Sequence, residues 1–474
     1  MNNSSTEAYK PFIARKYLWL FLGRIMPLVS LFLITIIYSR QLSYDDYGTF
    51  QSIWMYANIV NVVISFGVSS VILSTSLPFL FSFLKSKRKI IAPFYIVLSM
   101  AGLAAFFFLA KNFTTPQKWL LIIFMVIQNT ITIAETLLIK RGRERLSFVI
   151  NFFYAAFFFG WHIYILLYGY SLVKLVEGIV LISFIKLVAI LMVRVKKEYH
   201  IPVSSENHFL AHWGYLGLNE VFGIFSKWVD KIFLLYLLTV SDFAVFFNGS
   251  FEIPLFGLLI SVAGSLMLIE FSANIAKTDK IQSLFRESAN MLSAVVFPLF
   301  FFLFFFRTEL FSVIFKDKYN ASLPIFAISV FIIPLRINNY SVILQCFSQG
   351  KKVMLGSLID IIIALVLMVC LYPFMGSRGI ALSIVISTYC QVSYYLWHSA
   401  AILKIPVSGL LPFRTLGLKF GVMFILYLVL FLLLQNSSIA VKLIVAVIVT
   451  LLTTCAGMWK YLKTFLKNNY GHTS

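Results

Sequence analysis

The sequence predicts an all-α membrane protein of about 14 transmembrane helices, arranged as two pseudo-symmetric six-helix lobes plus two C-terminal helices. Three observations predict it. The chain of 474 residues is 60% hydrophobic and only 12% charged, with a mean hydropathy of +0.92, whereas a soluble domain carries roughly 25% charged residues. Apolar runs of spanning length alternate with short polar connections from one end to the other. A short motif that follows the first run returns after the seventh.

These bounds exclude whole classes of function. Little chain is left outside the apolar runs, so no sizeable soluble domain accompanies them and a soluble enzyme is excluded. The net charge of +21 would ordinarily point to nucleic acid or an anionic surface, but no basic run is interleaved with aromatic residues, so no nucleic-acid partner is expected. Cys346, Cys370, Cys390 and Cys455 are scattered through apolar runs with no CxxC pair. They read as small apolar filler, and neither a metal site nor a redox motif is expected.

In chain order, the spans are predicted near 17–38, 48–78, 90–110, 119–139, 148–169 and 172–193. A second set follows near 212–238, 243–270, 288–306, 321–346, 353–373 and 379–402, and two more near 415–434 and 439–459. The first run, from Leu18 to Tyr38, is too long for a cleaved signal peptide and has no small-residue cleavage site. Runs this long and continuous are helices, because membrane barrel strands are about ten residues long and alternate in polarity. The organisation follows: an N-terminal segment 1–16, an N-lobe 17–200, a C-lobe 201–405, and a final helix pair with its tail over 406–474.

Lysine and arginine set the orientation. One set of connections carries Lys10, Arg15, Lys16, then Lys85 to Lys89, Lys140 to Arg145, Arg194 to Lys197, Lys277 to Arg286, Lys351, Lys352, Lys404, Arg414 and Lys460 to Lys467. The alternate connections carry Arg40, Lys111, Lys118, Arg307, Lys316, Lys318 and Arg378, an excess of about three to one for the first set. The positive-inside rule then places both termini in the cytoplasm, and much of the net charge becomes a topology signal.

The repeat is short but regular. Leu42-Ser43-Tyr44-Asp45-Asp46-Tyr47-Gly48-Thr49-Phe50 matches Leu238-Thr239-Val240-Ser241-Asp242-Phe243-Ala244-Val245-Phe246 in character at a shift of 196 residues. Both copies lie on the outer side, so the halves have parallel topology, as transporter repeats do when a site lies at their interface.

Charges inside the spans are the candidate functional residues. An ionisable side chain at the bilayer centre costs roughly 2.5–3.5 kcal/mol on insertion scales and persists only where it faces protein or water. Arg24 lies in span one near Gly23 and Pro27, Glu135 in span four, Lys186 in span six, Arg336 in span ten and Asp360 in span eleven. Span seven holds Glu220, Lys227, Asp230 and Lys231. At about 100° per residue, Glu220, Lys227 and Lys231 share one helix face within roughly 40°, a polar stripe expected to line a cavity. The repeat shift brings Arg24 into correspondence with Glu220, so an ion pair between them is open. Arg24, Lys186, Lys227, Lys231 and Arg336 are the candidate substrate-binding cations; Glu135, Glu220, Asp230 and Asp360 are coupling groups or structural ion-pair partners. His208 and His212 stand four apart without a third ligand nearby and are read as bland. The phenylalanine-rich run from Val295 to Phe306 is read as lipid-facing or core packing, and Asp45-Asp46 has no nucleotide-binding domain to serve.

Several of these segments together resemble a known family. They are Leu42 to Gly48 after span one, Asp230-Lys231 with the Asp242-Phe243 echo, and Phe315-Lys316-Asp317-Lys318-Tyr319 before span ten. The fourth is Gly350-Lys351-Lys352 followed after a span by Pro373 and Gly376-Ser377-Arg378-Gly379-Ile380-Ala381. In order and spacing the chain resembles the Wzx-type O-antigen and capsule flippases of the multidrug/oligosaccharidyl-lipid/polysaccharide exporter superfamily, over essentially its whole length. Ala244 and Lys316 stand where that pattern has glycine. The resemblance implies a V-shaped pair of helical lobes around a cationic cavity in a bacterial inner membrane. It implies alternating-access transfer of undecaprenyl-pyrophosphate-linked oligosaccharide from inner to outer leaflet, without a cofactor, alongside a polysaccharide polymerase and a chain-length regulator. Coupling to H⁺ or Na⁺ stays open. Multidrug antiport and flipping of a peptidoglycan-precursor lipid are the alternatives; a pump for cationic drugs calls for buried acidic charge, and here Arg and Lys predominate among the cavity candidates.

Overall fold

The computed structural model describes residues 9–75, 77–193, 206–237, 239–250, 267, 271, 277–347 and 349–470. Among them the chain is helical, and ten helices are long and apolar enough to cross a membrane. The protein is an all-α, multi-pass membrane protein. It divides into two compact units, Met1–Trp228 and Val229–Ser474, each described below by itself.

In unit 1 the helices are α1 (Tyr9–Gln41), α2 (Tyr44–Ser65), α3 (Val68–Ser74), α4 (Leu77–Ser86), α5 (Arg88–Leu109), α6 (Thr115–Lys140), α7 (Glu144–Leu167), α8 (Leu172–Leu191) and the first part of α9 (Glu206–Leu237). Helix α1 runs parallel to α7 with a constant register. A Cβ at Gly23 would stand 3.3 Å from the Phe148 Cα, the Ser30 hydroxyl donates to the Ala155 carbonyl at 3.2 Å, and the Tyr38 hydroxyl donates to that of His162 at 3.1 Å. Helix α6 packs on α8 and starts with a capping box made by Thr114 and Gln117. Expected span two is broken: Phe66 and Gly67 both take left-handed backbone angles, at φ 37° and 76°, and separate α2 from α3.

Unit 2 holds the rest of α9, then α10 (Val240–Gly249), α11 (Thr278–Phe305), α12 (Arg307–Phe315), α13 (Leu323–Ser329), α14 (Val342–Cys346), α15 (Gly350–Met375), α16 (Ser377–Leu403), α17 (Val407–Leu410), α18 (Phe413–Leu433) and α19 (Ile439–Tyr470). The helices α15 and α16 form a hairpin turned at Gly376, whose φ 56°, ψ −137° is a conformation that only glycine adopts readily. The phenylalanine-rich run is core. Phe297, Phe300 and Phe301 are buried, and the Phe301 ring lies 4.7 Å from that of Phe420 on α18.

The fourteen expected spans compare with the ten in a physically ordered way. Of the remaining four, α2 carries Gln51, Asn58 and Asn61, α8 carries Lys174, Glu177 and Lys186, and α9 carries Glu220, Lys227, Asp230 and Lys231. The expected span 243–270 is described only through α10 and at Met267; its other residues, and Arg194 to Lys197, lie outside the described residues.

The two copies of the repeat fold alike. Ser43 caps α2 by accepting from the Asp46 amide at 3.1 Å while its hydroxyl donates to the Asp46 carboxylate at 2.6 Å. Thr239 caps α10 with the same pair of bonds to Asp242, at 3.1 and 2.7 Å. Tyr47 and Phe50 are fully buried after the first cap, as are Phe243 and Phe246 after the second.

Span ten departs from its expectation as one continuous helix. A 3-10 segment, Val330–Ile337, follows α13, the backbone leaves helical angles at Arg336, and Asn338 is extended. Pro334 removes a backbone donor. The side chains of Asn338 and Asn339 then accept from the amides of Asn339 and Ser341 at 3.0 and 3.3 Å, offering the backbone a local alternative to the helix. Asn338 also donates to the Phe285 carbonyl at 3.0 Å. Lys316, where the family pattern has glycine, takes the left-handed angle of a helix C-cap, φ 50°.

Candidate functional site

The charges on the span helices separate into compensated and open ones. In unit 1, Glu135 of α6 gathers three donors. The Ser147 hydroxyl of α7 reaches it at 2.8 Å, the Asn151 amide donates to the same oxygen, and the Lys186 ammonium of α8 lies 3.3 Å from the other. Lys186 also donates to the Asn151 side-chain carbonyl at 2.7 Å and sits 4.6 Å from the Tyr154 ring centroid. Its side chain is only 8% exposed. Charge, hydrogen bonds and ring together satisfy a lysine that would otherwise be costly at this depth. The cluster ties α6, α7 and α8 to one another.

In unit 2, Lys231 turns back on Asp230, Nζ to Oδ2 at 3.0 Å, and both side chains are largely buried. Asp360 is buried on α15, one turn after Ser357, whose hydroxyl lies 3.4 Å from the Tyr395 hydroxyl.

Two of the remaining cations are different. Arg24 is exposed on α1, on the residue after Gly23, which is pressed against α7. Lys227 is exposed on α9, its Nζ 6.0 Å from the Trp228 ring centroid. Neither forms a salt bridge among the described residues. Arg336 is half-buried at the break in span ten, and irregular backbone at membrane depth is tolerated only inside protein or beside a water-filled cavity.

The expected polar stripe of Glu220, Lys227 and Lys231 is therefore not uniform: Lys227 is open, Lys231 is neutralised, and Glu220 accepts a hydrogen bond from Ser70. The pair weighed between Arg24 and Glu220 does not form among the described residues; Ser70 takes the carboxylate instead. Sequence reading missed Ser70, Ser147, Asn151 and Tyr154. Ser147 and Asn151 stand four residues apart on one face of an apolar helix, which was the available signal. No group of three or more His, Cys, Asp or Glu side chains is placed to hold a metal among the described residues, and the side chains of His208 and His212 lie outside them.

No curated protein sequence matches. Among solved structures, the lipid II flippase MurJ in an inward closed conformation is similar at 14% identity and a TM-score of 0.65, over 95% of this chain and 100% of that one. An inward-facing multidrug resistance MATE family transporter of the MOP superfamily is similar at 15% identity and a TM-score of 0.56, over 81% and 99%. A MOP superfamily transporter from Pyrococcus furiosus, described as having a binding pocket of reversed polarity, is similar at 14% identity and 0.58, over 83% and 96%. The chain thus shares the fold of these transporters. The family model described as "Polysaccharide biosynthesis protein" matches residues 37–324, more than half of the chain, and the protein belongs to that family.

Proposed function

We propose that this protein is a flippase, a secondary-type transporter rather than an enzyme. Its cargo is a polyprenyl-pyrophosphate-linked oligosaccharide, an undecaprenyl-linked repeat unit of O-antigen, capsule or exopolysaccharide. It carries the cargo from the inner to the outer leaflet of a bacterial cytoplasmic membrane by alternating access, with both termini in the cytoplasm. The observation that carries this reading is the pair Arg24 and Lys227: cations on expected span helices, exposed, with no salt bridge among the described residues. Such groups do not face hydrocarbon without a counter-charge. A diphosphate head supplies one, and a guanidinium binds it through paired charge-assisted hydrogen bonds. Arg336, half-buried at the broken span of unit 2, is a third candidate cation. Any H⁺ or Na⁺ coupling would act through Glu220, Asp230 or Asp360, with Glu135 taken as the structural partner of Lys186.

The test is export. Hydrogen bonds to charged groups contribute about 1.5–3 kcal/mol each, so Arg24→Ala and Lys227→Ala should each cut surface polysaccharide about tenfold or more while the protein stays at wild-type level in the membrane. Lipid-linked oligosaccharide should accumulate on the inner leaflet. Normal export by both variants overturns the assignment. A second reading, flipping of a peptidoglycan-precursor lipid, draws on the near-complete overlap with MurJ; rescue of cells depleted of their lipid II flippase would favour it.

A further inference from the structure

On unit 1 a groove of about 640 Å³ runs between α7 and α8, lined among others by Val149, Phe153, Phe157, Gly160, Trp161 and Tyr164. Val149 to Tyr164 covers about 22 Å along the helix at roughly 1.5 Å per residue. The groove opens sideways: Phe153, Phe157 and Ile185 of its lining are each more than half exposed. Apolar neighbours such as Leu181 and Phe184 are equally exposed, and on a multi-pass membrane protein a face this apolar suits hydrocarbon rather than water.

Its shape is built in. At Gly160 the floor is open, with no atom within 4 Å of where a Cβ would stand. The opposite wall is fixed, because the Trp161 indole folds over Gly178, occupying the space of a side chain there, and donates to the Leu175 carbonyl at 3.2 Å. The one charged lining residue is Lys186, toward the cytoplasmic end, and its ammonium is engaged by Glu135 and Asn151. A groove of this kind recognises a chain and not a head group.

We propose that it holds the polyprenyl chain of the lipid-linked cargo, an inference that rests on the flippase reading above. Length decides between the hydrocarbon chains on offer. A leaflet is about 15 Å deep, half of a roughly 30 Å hydrocarbon core. An acyl chain entering from either surface therefore ends short of the groove's far end, whereas a polyprenyl chain that passes the midplane fills it throughout. Held there, the tail keeps the cargo on the protein while the head group crosses.

The experiment uses the full-length protein in vesicles of phosphatidylethanolamine and phosphatidylglycerol, with a diazirine-bearing polyprenyl phosphate or, separately, a diazirine-bearing phosphatidylethanolamine. The polyprenyl probe should label the peptide spanning Phe153 to Tyr164, and excess unlabelled polyprenyl phosphate should reduce that labelling at least fivefold. Gly160→Phe, which fills empty space, should reduce it equally. Labelling of this peptide by the phospholipid probe that polyprenyl phosphate fails to displace overturns the proposal, as does polyprenyl labelling that ignores both competitor and Gly160→Phe. The competition on wild-type protein needs no variant to fold. Because labelling reads binding and the Arg24→Ala experiment reads export, failure of the groove and failure of the flippase reading are distinguishable.

Discussion

Removing the Glu135 carboxylate exposes what Lys186 would cost alone. In the intact cluster the Lys186 ammonium has a carboxylate oxygen at 3.3 Å and an amide oxygen at 2.7 Å. Glu135→Leu leaves a buried cation without its counter-charge and strands the Ser147 and Asn151 donors, a change that typically costs about 3–5 kcal/mol. Lys186→Met alone leaves Glu135 with two neutral donors and, at 21% exposure, some access to solvent, so its expected cost is smaller, about 1–3 kcal/mol. In the double variant Glu135→Leu/Lys186→Met both charges are gone, and such replacements are often near neutral. Its cost should fall at least about 2 kcal/mol below the sum of the single ones. Thermal unfolding followed by fluorescence-detected size exclusion measures this, with Glu135→Leu expected to melt about 3–5 °C lower than wild type. The double variant should also keep exporting polysaccharide, because a neutralised lysine is scaffold rather than ligand. Additive effects, or a Glu135→Leu protein that melts within about 2 °C of wild type, would refute the compensation argument. Loss of export by a stable double variant would return Lys186 to the substrate site.

Two further predictions concern the backbone. Ser43→Ala and Thr239→Ala each remove one helix cap with the same two hydrogen bonds, and each should lower stability by about 1 kcal/mol in the same melting assay; a change at one site alone would argue against equivalent repeats. Gly67→Ala places a Cβ 2.8 Å from the Gly217 backbone nitrogen in a left-handed conformation. It should destabilise by more than about 1 kcal/mol, while Gly160→Ala, in open space, should melt like wild type.

Much of the fold was legible because the bilayer imposes it. Long apolar runs must be helices, and the chain's apolar periodicity needs no tertiary knowledge to be read. Where the reading failed, local chemistry overrode length. Span ten reads as a continuous run from 321 to 346, yet Pro334 and the side chains of Asn338 and Asn339 break it at Arg336. Span two breaks at Phe66 and Gly67, where a glycine and an adjoining left-handed residue leave little trace in hydropathy. The repeat was visible as nine residues of similar character, and its meaning emerged as a shared capping geometry: Ser43 and Thr239 differ as residues but offer the same hydroxyl.

The site was legible only in part, for a reason that bears on how buried charge is read in any membrane sequence. Composition locates a charge; it does not name its partner. Lys186 meets Glu135, 51 positions earlier, and Asn151, 35 positions earlier, separations that helix periodicity cannot span. Lys231 meets its immediate neighbour, a pair that was in view yet was set on a cavity face because the stripe was drawn from angle alone. Arg24 and Lys227 then gain their weight by elimination. Once Glu135 and Asp230 have accounted for Lys186 and Lys231, these two are exposed on expected span helices with no salt bridge among the described residues. On the flippase reading proposed above, a variant that supplies a carboxylate from within, such as an acidic residue one turn from Arg24, should lower surface polysaccharide as far as Arg24→Ala does.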